Sequence, residues 1–351
     1  MVTVNPLAAD LNHILNHTEG LWDEFRGRHI FVTGGTGFFG CWLLESFVWA
    51  NDKLGLNSQA VVLTRDPEVF ITKAPHLAKH PAIQLLKGDV RSFDFPPGEF
   101  SHVIHMATES SQKLNIADPL LMLDTIIEGT RHVLDLAVRS KVHKFLLLSS
   151  GAVYGKQPVD ITRIPETYAG APDIFDIGMA YGQGKRIAEY LSVLYNNQHS
   201  LETKIARGFT FVGPYLPLDI HYAIGNFIGD VLNKRTIEVK GDGTPYRSYL
   251  YAADAMIWLW TILCNGKSCY PYNVGSERAL TIAELAKQVA GTNKTALEVV
   301  ITGKSVPGKP PERYVPSTQR ARTDLGLEQY IDLEDAIKRT IRWYDRSENK
   351  R

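Results

Sequence analysis

The stretch from Arg28 to Leu44, RHIFVTGGTGFFGCWLL, constrains the fold more than any other part of the chain. Ile30, Phe31 and Val32 form a short apolar, strand-favouring run, Thr33 to Gly40 is a glycine-rich turn, and Cys41-Trp42-Leu43-Leu44 opens an apolar helical pattern. A turn this sharp needs positions without a Cβ, both for the backbone to double back and for the helix to pack on the strand. Strand, glycine turn and helix in this order put free backbone amides at a helix N-terminus, which is how dinucleotide-binding units hold a pyrophosphate. Two registers fit, Gly35-x-Gly37-x-x-Gly40 and Gly34-x-x-Gly37-x-x-Gly40, so Gly34, Gly37, Phe38, Phe39 and Gly40 are candidate cofactor contacts.

Upstream, Asn5-Pro6 reads as a helix start, with Leu7, Leu11, Ile14 and Leu15 on one face. His13 and His17 lie one turn apart on it, but no third ligand stands beside them at metal spacing, so a solvated face is expected and no metal. Downstream, Ala60 to Leu63 reads as a second parallel strand ending at Thr64-Arg65-Asp66, where the adenosine ribose would lie. A carboxylate at that strand end favours NAD. Here Thr64 and Arg65 stand there, which suits a 2′-phosphate and leans the cofactor reading from NAD towards NADP. Two alternatives stay open: Arg65 as a solvated loop cation, and Asp66 turning in to serve NAD.

Gln84-Leu85-Leu86 leads to Gly88-Asp89-Val90, with Asp89 placed to meet the adenine edge. His102 to His105 is a further buried strand, leaving through Met106-Ala107-Thr108, whose small Ala107 lets backbone approach the cofactor. Pro119 to Val138 has helical spacing and Lys144 to Leu148 is again strand, so the alternation closes into a doubly wound parallel sheet of α/β type. That last strand runs into Ser149-Ser150-Gly151-Ala152 at the carboxyl end of the sheet, where ligands bind. Tyr181 and Lys185, four residues apart, share a helix face. An ammonium beside a phenol favours the phenolate, as does a cationic nicotinamide ring, so with the cofactor bound Tyr181 is expected to titrate near neutrality and take a proton from an alcohol, while Ser150 hydrogen-bonds the same oxygen.

The chain is long enough for a large core and two lobes, at 351 residues. Lys+Arg and Asp+Glu both total 38, so no net field draws it to nucleic acid or an anionic membrane. Cys41, Cys264 and Cys269 show neither CxxC spacing nor a pairing pattern, as expected of reduced thiols in a cytoplasmic protein. No leader pattern or membrane-length apolar run is found in the sequence.

Together, the glycine turn, Ser150 and the Tyr181/Lys185 pair resemble an extended short-chain dehydrogenase/reductase of the NAD-dependent epimerase/dehydratase family, the nucleotide-sugar-modifying group. The resemblance covers Arg28 to the C-terminus and implies a Rossmann sheet with a smaller C-terminal α/β substrate-binding lobe. It implies that Ser150, Tyr181 and Lys185 are the catalytic triad and that Asp89 and Val90 contact adenine. The expected organisation is a helical extension over 1–25, a cofactor domain over 26–208 with a return segment around 251–275, and a substrate lobe over 209–250 and 276–351. Ala206 to Pro214 and Tyr249 to Asp254 resemble the family's crossings between lobes, Tyr272 to Gly275 resembles a family strand and turn, Thr281-x-x-Glu284 is a capping box, and Leu333 to Tyr344 is an amphipathic helix.

By the same resemblance Arg247 is expected to grip a substrate diphosphate, the alternative being an ion pair with Asp242 or Asp254; Glu109, Ser150, Gly151 and Thr210 complete the candidate substrate contacts. Some positions depart from the family pattern. Gly151 and Ala152 stand where the dehydratase branch has an Asp and a Glu, and the decarboxylase branch also usually has a glutamate at the second position. Thr210 and Ile126 each replace an asparagine. The triad alone suffices for C4 epimerisation of a nucleoside-diphosphate sugar through a 4-keto intermediate, which ranks first. An NADPH-dependent 4-ketoreductase follows. A dehydratase or decarboxylase requires Glu109, Asp173 or Asp176 to carry the missing proton, and a non-catalytic sensor on the same scaffold stands last. The resemblance also implies a homodimer paired through Pro119 to Val138 and Tyr181 to Tyr195.

Overall fold

The computed structural model describes residues 5–108, 112–220, 222–292, 297–308 and 310–348. Its centre is a parallel sheet of β1 (His29–Thr33), β2 (Gln59–Thr64), β3 (Ile83–Lys87), β4 (His102–His105), β5 (Lys144–Ser150) and β6 (Glu202–Gly208). After β6 come the short β7 (Phe211–Val212), β8 (Ile237–Val239), β9 (Tyr246–Arg247) and β10 (Leu250–Tyr251), and then β11 (Pro271–Val274), which returns to the central sheet. The remaining strands are β12 (Leu280–Thr281), β13 (Val299–Ile301) and β14 (Arg313–Tyr314). The order across the central sheet is β11-β6-β5-β4-β1-β2-β3, with every pairing parallel.

This is the doubly wound arrangement that the alternation implied. Strand order reverses between β1 and β4, so their carboxyl ends open a crevice there. Both faces of the sheet are covered, which is why its strands are apolar runs rather than alternating ones. Ile30 and Val32 enter one core with Trp42, Leu43 and the helix Ala252–Asn265, while Phe31 and Val103 enter another with Val133 and Leu134 of the helix Pro119–Arg139. The three-stranded small sheet differs, being mixed in direction and half-buried. β9 lies between β12 and β14, pairing Tyr314 with Arg247 in register.

The capping box at Thr281 forms as expected, with Thr281 Oγ1 accepting from the Glu284 amide at 3.1 Å and Glu284 accepting from the Thr281 amide at 2.7 Å. The N-terminal helix begins at Ala8, after Asn5 has accepted the Leu7 amide. The expected solvated face holds for His17, which is exposed, but not for His13. His13 Nε2 lies 3.1 Å from the buried Asp254 carboxylate, and the His17 ring packs on His13 and Tyr330. The helix is thereby fastened to the main body.

Candidate active site

The glycine turn leaves β1 at Gly34 and enters the helix Phe38–Leu54 at its N-cap, Gly37. Gly34 has φ of +70°, and a Cβ there would stand 2.7 Å from the Ala107 amide, so the turn after β1 lies directly against the exit of β4. A Cβ on Gly40 would collide with the backbone of Gly34 and Gly35, so helix and strand meet at backbone distance. Gly37 faces solvent and Phe38 and Phe39 are half-buried, Phe39 edge-on to Phe211 at 4.7 Å. This close cradle at a helix N-terminus, beside the crevice between β1 and β4, fits a dinucleotide pyrophosphate.

His105 fixes the geometry from below. Its ring nitrogens lie 2.7 Å from Thr33 Oγ1 and 3.1 Å from Thr130 Oγ1, and Thr33 Oγ1 also accepts the Ala107 amide at 3.1 Å. Burial holds the imidazole down at about 3, so it is neutral and acts as a brace between the two strand ends. Met106 is buried while Ala107 and Thr108 are partly open.

At the end of β2, Thr64 is buried against its own turn and Arg65 is exposed. The Asp66 carboxylate accepts the Glu68 and Val69 amides at 3.1 and 3.2 Å, which commits it to capping the helix Pro67–Lys73. Asp89 is gripped by Arg91 at 2.9 and 3.0 Å, and that pairing holds its carboxyl at about 2, with Arg65 adding to the positive field. Val90 is a core residue packed against Gly129.

Ser150 ends β5, and Tyr181 and Lys185 lie one turn apart on the helix Ala180–His199. Lys185 is buried with Nζ 2.9 Å from the Leu148 carbonyl and 5.9 Å from the Tyr181 ring centroid. Burial lowers its pKa to about 8, partly offset by the Glu189 carboxylate another turn along. Tyr181 is partly buried. Burial pushes its phenol above the ordinary tyrosine range, the Ser150 hydrogen bond being the opposing influence, so the protein alone keeps it protonated.

Several positioning residues escaped sequence reasoning. Asn115 accepts the Tyr181 amide at 3.0 Å and donates to the Gly178 carbonyl, setting the start of the helix that carries Tyr181 and Lys185. Glu189 accepts from Ser149 at 2.6 Å and from Arg207 at 2.6 and 2.9 Å, while Arg207 also donates to Tyr154 at 2.9 Å. The i,i+4 stripe of Tyr181 and Lys185, continued one turn, points to Glu189; nothing local points to Asn115. Ile126 is buried against Gly184 and seals the two long helices together.

Arg247 is half-buried on β9 and donates to the Tyr246 carbonyl at 2.9 Å. Asp254, one of its expected ion-pair partners, is spent on His13 and on the Tyr330 and Ile331 amides, each at 2.9 Å. Thr210 donates to the Ser248 carbonyl. Asp173 and Asp176 are exposed and cap the turns at Phe175 and Gly178, so neither is set as a proton carrier in this site. Glu109 lies outside the described residues. Among the described residues no group of three or more His, Cys, Asp or Glu side chains could hold a metal, and no described helix is long and apolar enough to cross a membrane.

A family model described as the NAD dependent epimerase/dehydratase family matches residues 30–275. UDP-glucuronic acid decarboxylase 6 of Arabidopsis thaliana is 31% identical over 311 residues, spanning 88% of this chain and 86% of that protein. Among solved structures, a UDP-N-acetylglucosamine 4-epimerase from Methanobrevibacter ruminantium superposes with a TM-score of 0.79 at 18% identity, over 92% of this chain and 99% of that one. A Bacillus cereus UDP-glucuronic acid 4-epimerase, in complex with UDP-glucuronic acid and NAD, superposes with a TM-score of 0.76 at 21% identity, over 91% and 99%. Both structural likenesses are likenesses of fold.

Proposed function

The chain belongs to the NAD-dependent epimerase/dehydratase family of enzymes, and from that premise we propose that it oxidises and re-reduces C4 of a nucleoside-diphosphate sugar, with C4 epimerisation as the net result. The observation that carries this is the set Ser150, Tyr181 and Lys185 at the carboxyl end of β5, followed by two residues, Gly151 and Ala152, that cannot transfer a proton. A redox cycle at C4 needs one base and one oxyanion partner, and that is the equipment present.

In this reading Tyr181 takes the proton of the C4 hydroxyl, Ser150 donates to the oxygen as charge develops, and Lys185 holds positive charge beneath the phenol. When bound, the nicotinamide cofactor supplies the hydride acceptor and a further positive charge. Tyr181 has its phenol pushed up in the protein alone, so the base is readied only in the loaded site. Arg247 is assigned to the substrate diphosphate, its planar fork matching two anionic oxygens. The lean to NADP rests on Thr64 and Arg65 at the end of β2 and on Asp66 being committed to a helix cap. We further propose that the protein is a homodimer.

A second reading, decarboxylation of a nucleoside-diphosphate uronate, is favoured by the 31% identity to a UDP-glucuronic acid decarboxylase over most of both chains. A 4-keto uronate is a β-keto acid, so loss of its carboxylate as carbon dioxide leaves the electron pair in an enolate; a proton must then be delivered to C5 before hydride returns to C4, and that is the step for which this reading needs a proton carrier beyond the triad. Incubation with NAD or NADP and, separately, UDP-glucose, UDP-N-acetylglucosamine and UDP-glucuronic acid, followed by proton NMR, separates the readings. A C4 epimer supports the first, carbon dioxide and a nucleotide pentose support the second, and no turnover of any of them overturns both.

A further inference from the structure

Gly151 is bare for a reason that lies at the other end of the chain. A Cβ on it would stand 2.7 Å from the Tyr314 hydroxyl and 2.7 Å from Phe209 Cζ, so the space a side chain would take is already filled. Tyr314 is delivered by β14, where it pairs in register with Arg247, and its ring packs on Phe209 at 4.7 Å and 36°. Its hydroxyl lies 3.4 Å from Ser150 Oγ and close to the Ala152 amide. That is long for an O–H···O bond, as catalytic hydrogen bonds often are before a substrate draws them in.

A serine hydroxyl has one proton and two lone pairs. The Ala152 amide donates to Ser150 Oγ at 3.1 Å and takes one lone pair. If the second lone pair is filled by a donor, the single proton has to point elsewhere, and the remaining partner is Tyr181. Resting on the proposed role of Ser150 and Tyr181, we propose that Tyr314 is a positioning residue of the active site, whose hydroxyl donates to Ser150 and so commits the Ser150 proton to the side of Tyr181, to its phenolate before substrate binds and to the sugar oxygen afterwards. Burial keeps the Tyr314 phenol protonated, at about 12, so it stays a donor across the working pH range. The groups that face Tyr181 are then Ser150, Tyr314 and Tyr222 together with Lys185 on its own helix.

The test reads the Tyr181 phenolate directly, independently of any substrate. Near-ultraviolet phenolate absorbance is titrated in enzyme saturated with NAD or NADP, each chain being referenced to the same chain carrying Tyr181→Phe. Tyr314→Phe keeps the ring on Phe209 and removes only the hydroxyl. It should raise the Tyr181 midpoint by about half a pH unit, the scale of one lost hydrogen bond to the phenolate's donor. Gly151→Ala, which pushes the Tyr314 hydroxyl away without deleting it, should shift the midpoint in the same direction. In a Ser150→Ala background Tyr314→Phe should add nothing, because no serine proton is left to orient.

A midpoint unmoved by Tyr314→Phe overturns the proposal, as does an equal shift with and without Ser150, which is what a packing role on Phe209 gives. Nucleotide-sugar turnover is scored separately. If no sugar reacts but the midpoints move as described, the proposed reaction falls and the positioning of Ser150 stands; turnover with unmoved midpoints does the reverse.

Discussion

Replacing Lys185 by methionine should abolish turnover and make the fold more stable. The ammonium is buried, it donates to the Leu148 carbonyl at 2.9 Å, and its pKa is lowered by burial from 10.5 to about 8. Because the folded value lies below the unfolded one, the unfolded chain binds more protons between the two, so stability rises with pH across that window. A gap of this size makes the charged lysine cost the fold about 3 kcal/mol at pH 7, of which about 1.3 kcal/mol is relieved by pH 9. Methionine has similar length and no charge to desolvate. Leaving Leu148 O without that donor costs about 1 kcal/mol in return. The expected variant is therefore more stable than the parent by about 2 kcal/mol at pH 7 and by less than about 1 kcal/mol at pH 9. Urea denaturation of cofactor-free protein, followed by tryptophan fluorescence at both pH values, reads the difference, in which the other titrating groups cancel. A difference that does not change with pH, or a methionine variant less stable at both, would refute desolvation as the source of the lysine's shifted pKa. In the proposed mechanism, the stability given up at Lys185 is the cost of holding a charge under the Tyr181 phenol.

Ser248 Oγ is fully buried and finds no hydrogen-bond partner among the described residues, so Ser248→Ala should raise stability by about 1 kcal/mol, read as a higher melting temperature; a comparable fall means the hydroxyl is satisfied. Burial raises the Glu24 carboxyl, but His102 and Lys144 outweigh it and hold it at about 2, against an ordinary 4.5. Its folded pKa is depressed, so its contribution is present above about pH 4.5 and is lost as the pH falls towards 2. Glu24→Gln should accordingly flatten the acid limb of the stability curve in that window, and an unaltered limb rules the linkage out. Ile187, Tyr190 and Val193 are exposed on the helix Ala180–His199. For the proposed dimer, Tyr190→Glu should yield a monomer by light scattering, and an intact dimer would place the interface elsewhere.

Most of the central sheet was legible because its signals are local. Runs such as Ala60 to Leu63 and Lys144 to Leu148 became β2 and β5, and Tyr272 to Val274 lies in β11. The periodic helices fell into place, ending within a few residues of expectation. The glycine turn, Ser150 and the Tyr181/Lys185 pair were legible for the same reason, since strand, turn and one helix face are short-range patterns. What stayed hidden was set by long-range crossings. β9 and β14 are two residues each, below any periodicity, and Asn115 reaches Tyr181 from a separate helix. Sequence spacing correctly put an ammonium near a phenol. It carried no information about how far burial would oppose the phenolate while the cofactor is absent.

Gly151 shows how a departure from a pattern changes meaning once the third dimension is known. Read along the chain, a glycine in place of a carboxylate is a loss: the proton carrier is gone, and the chemistry shrinks to what the triad can do. In the fold that space is occupied, because Tyr314 and Phe209 come within 2.7 Å of where a Cβ would be. Restoring a carboxylate at 151 would therefore require the tyrosine to leave, and with it the donor beside Ser150. The two positions are one steric unit, because a side chain added at 151 meets the Tyr314 hydroxyl. Dehydratase-like chemistry is not one mutation away from this site, since Gly151→Asp alone must displace a ring held by Phe209 and by the pairing of β14 with β9.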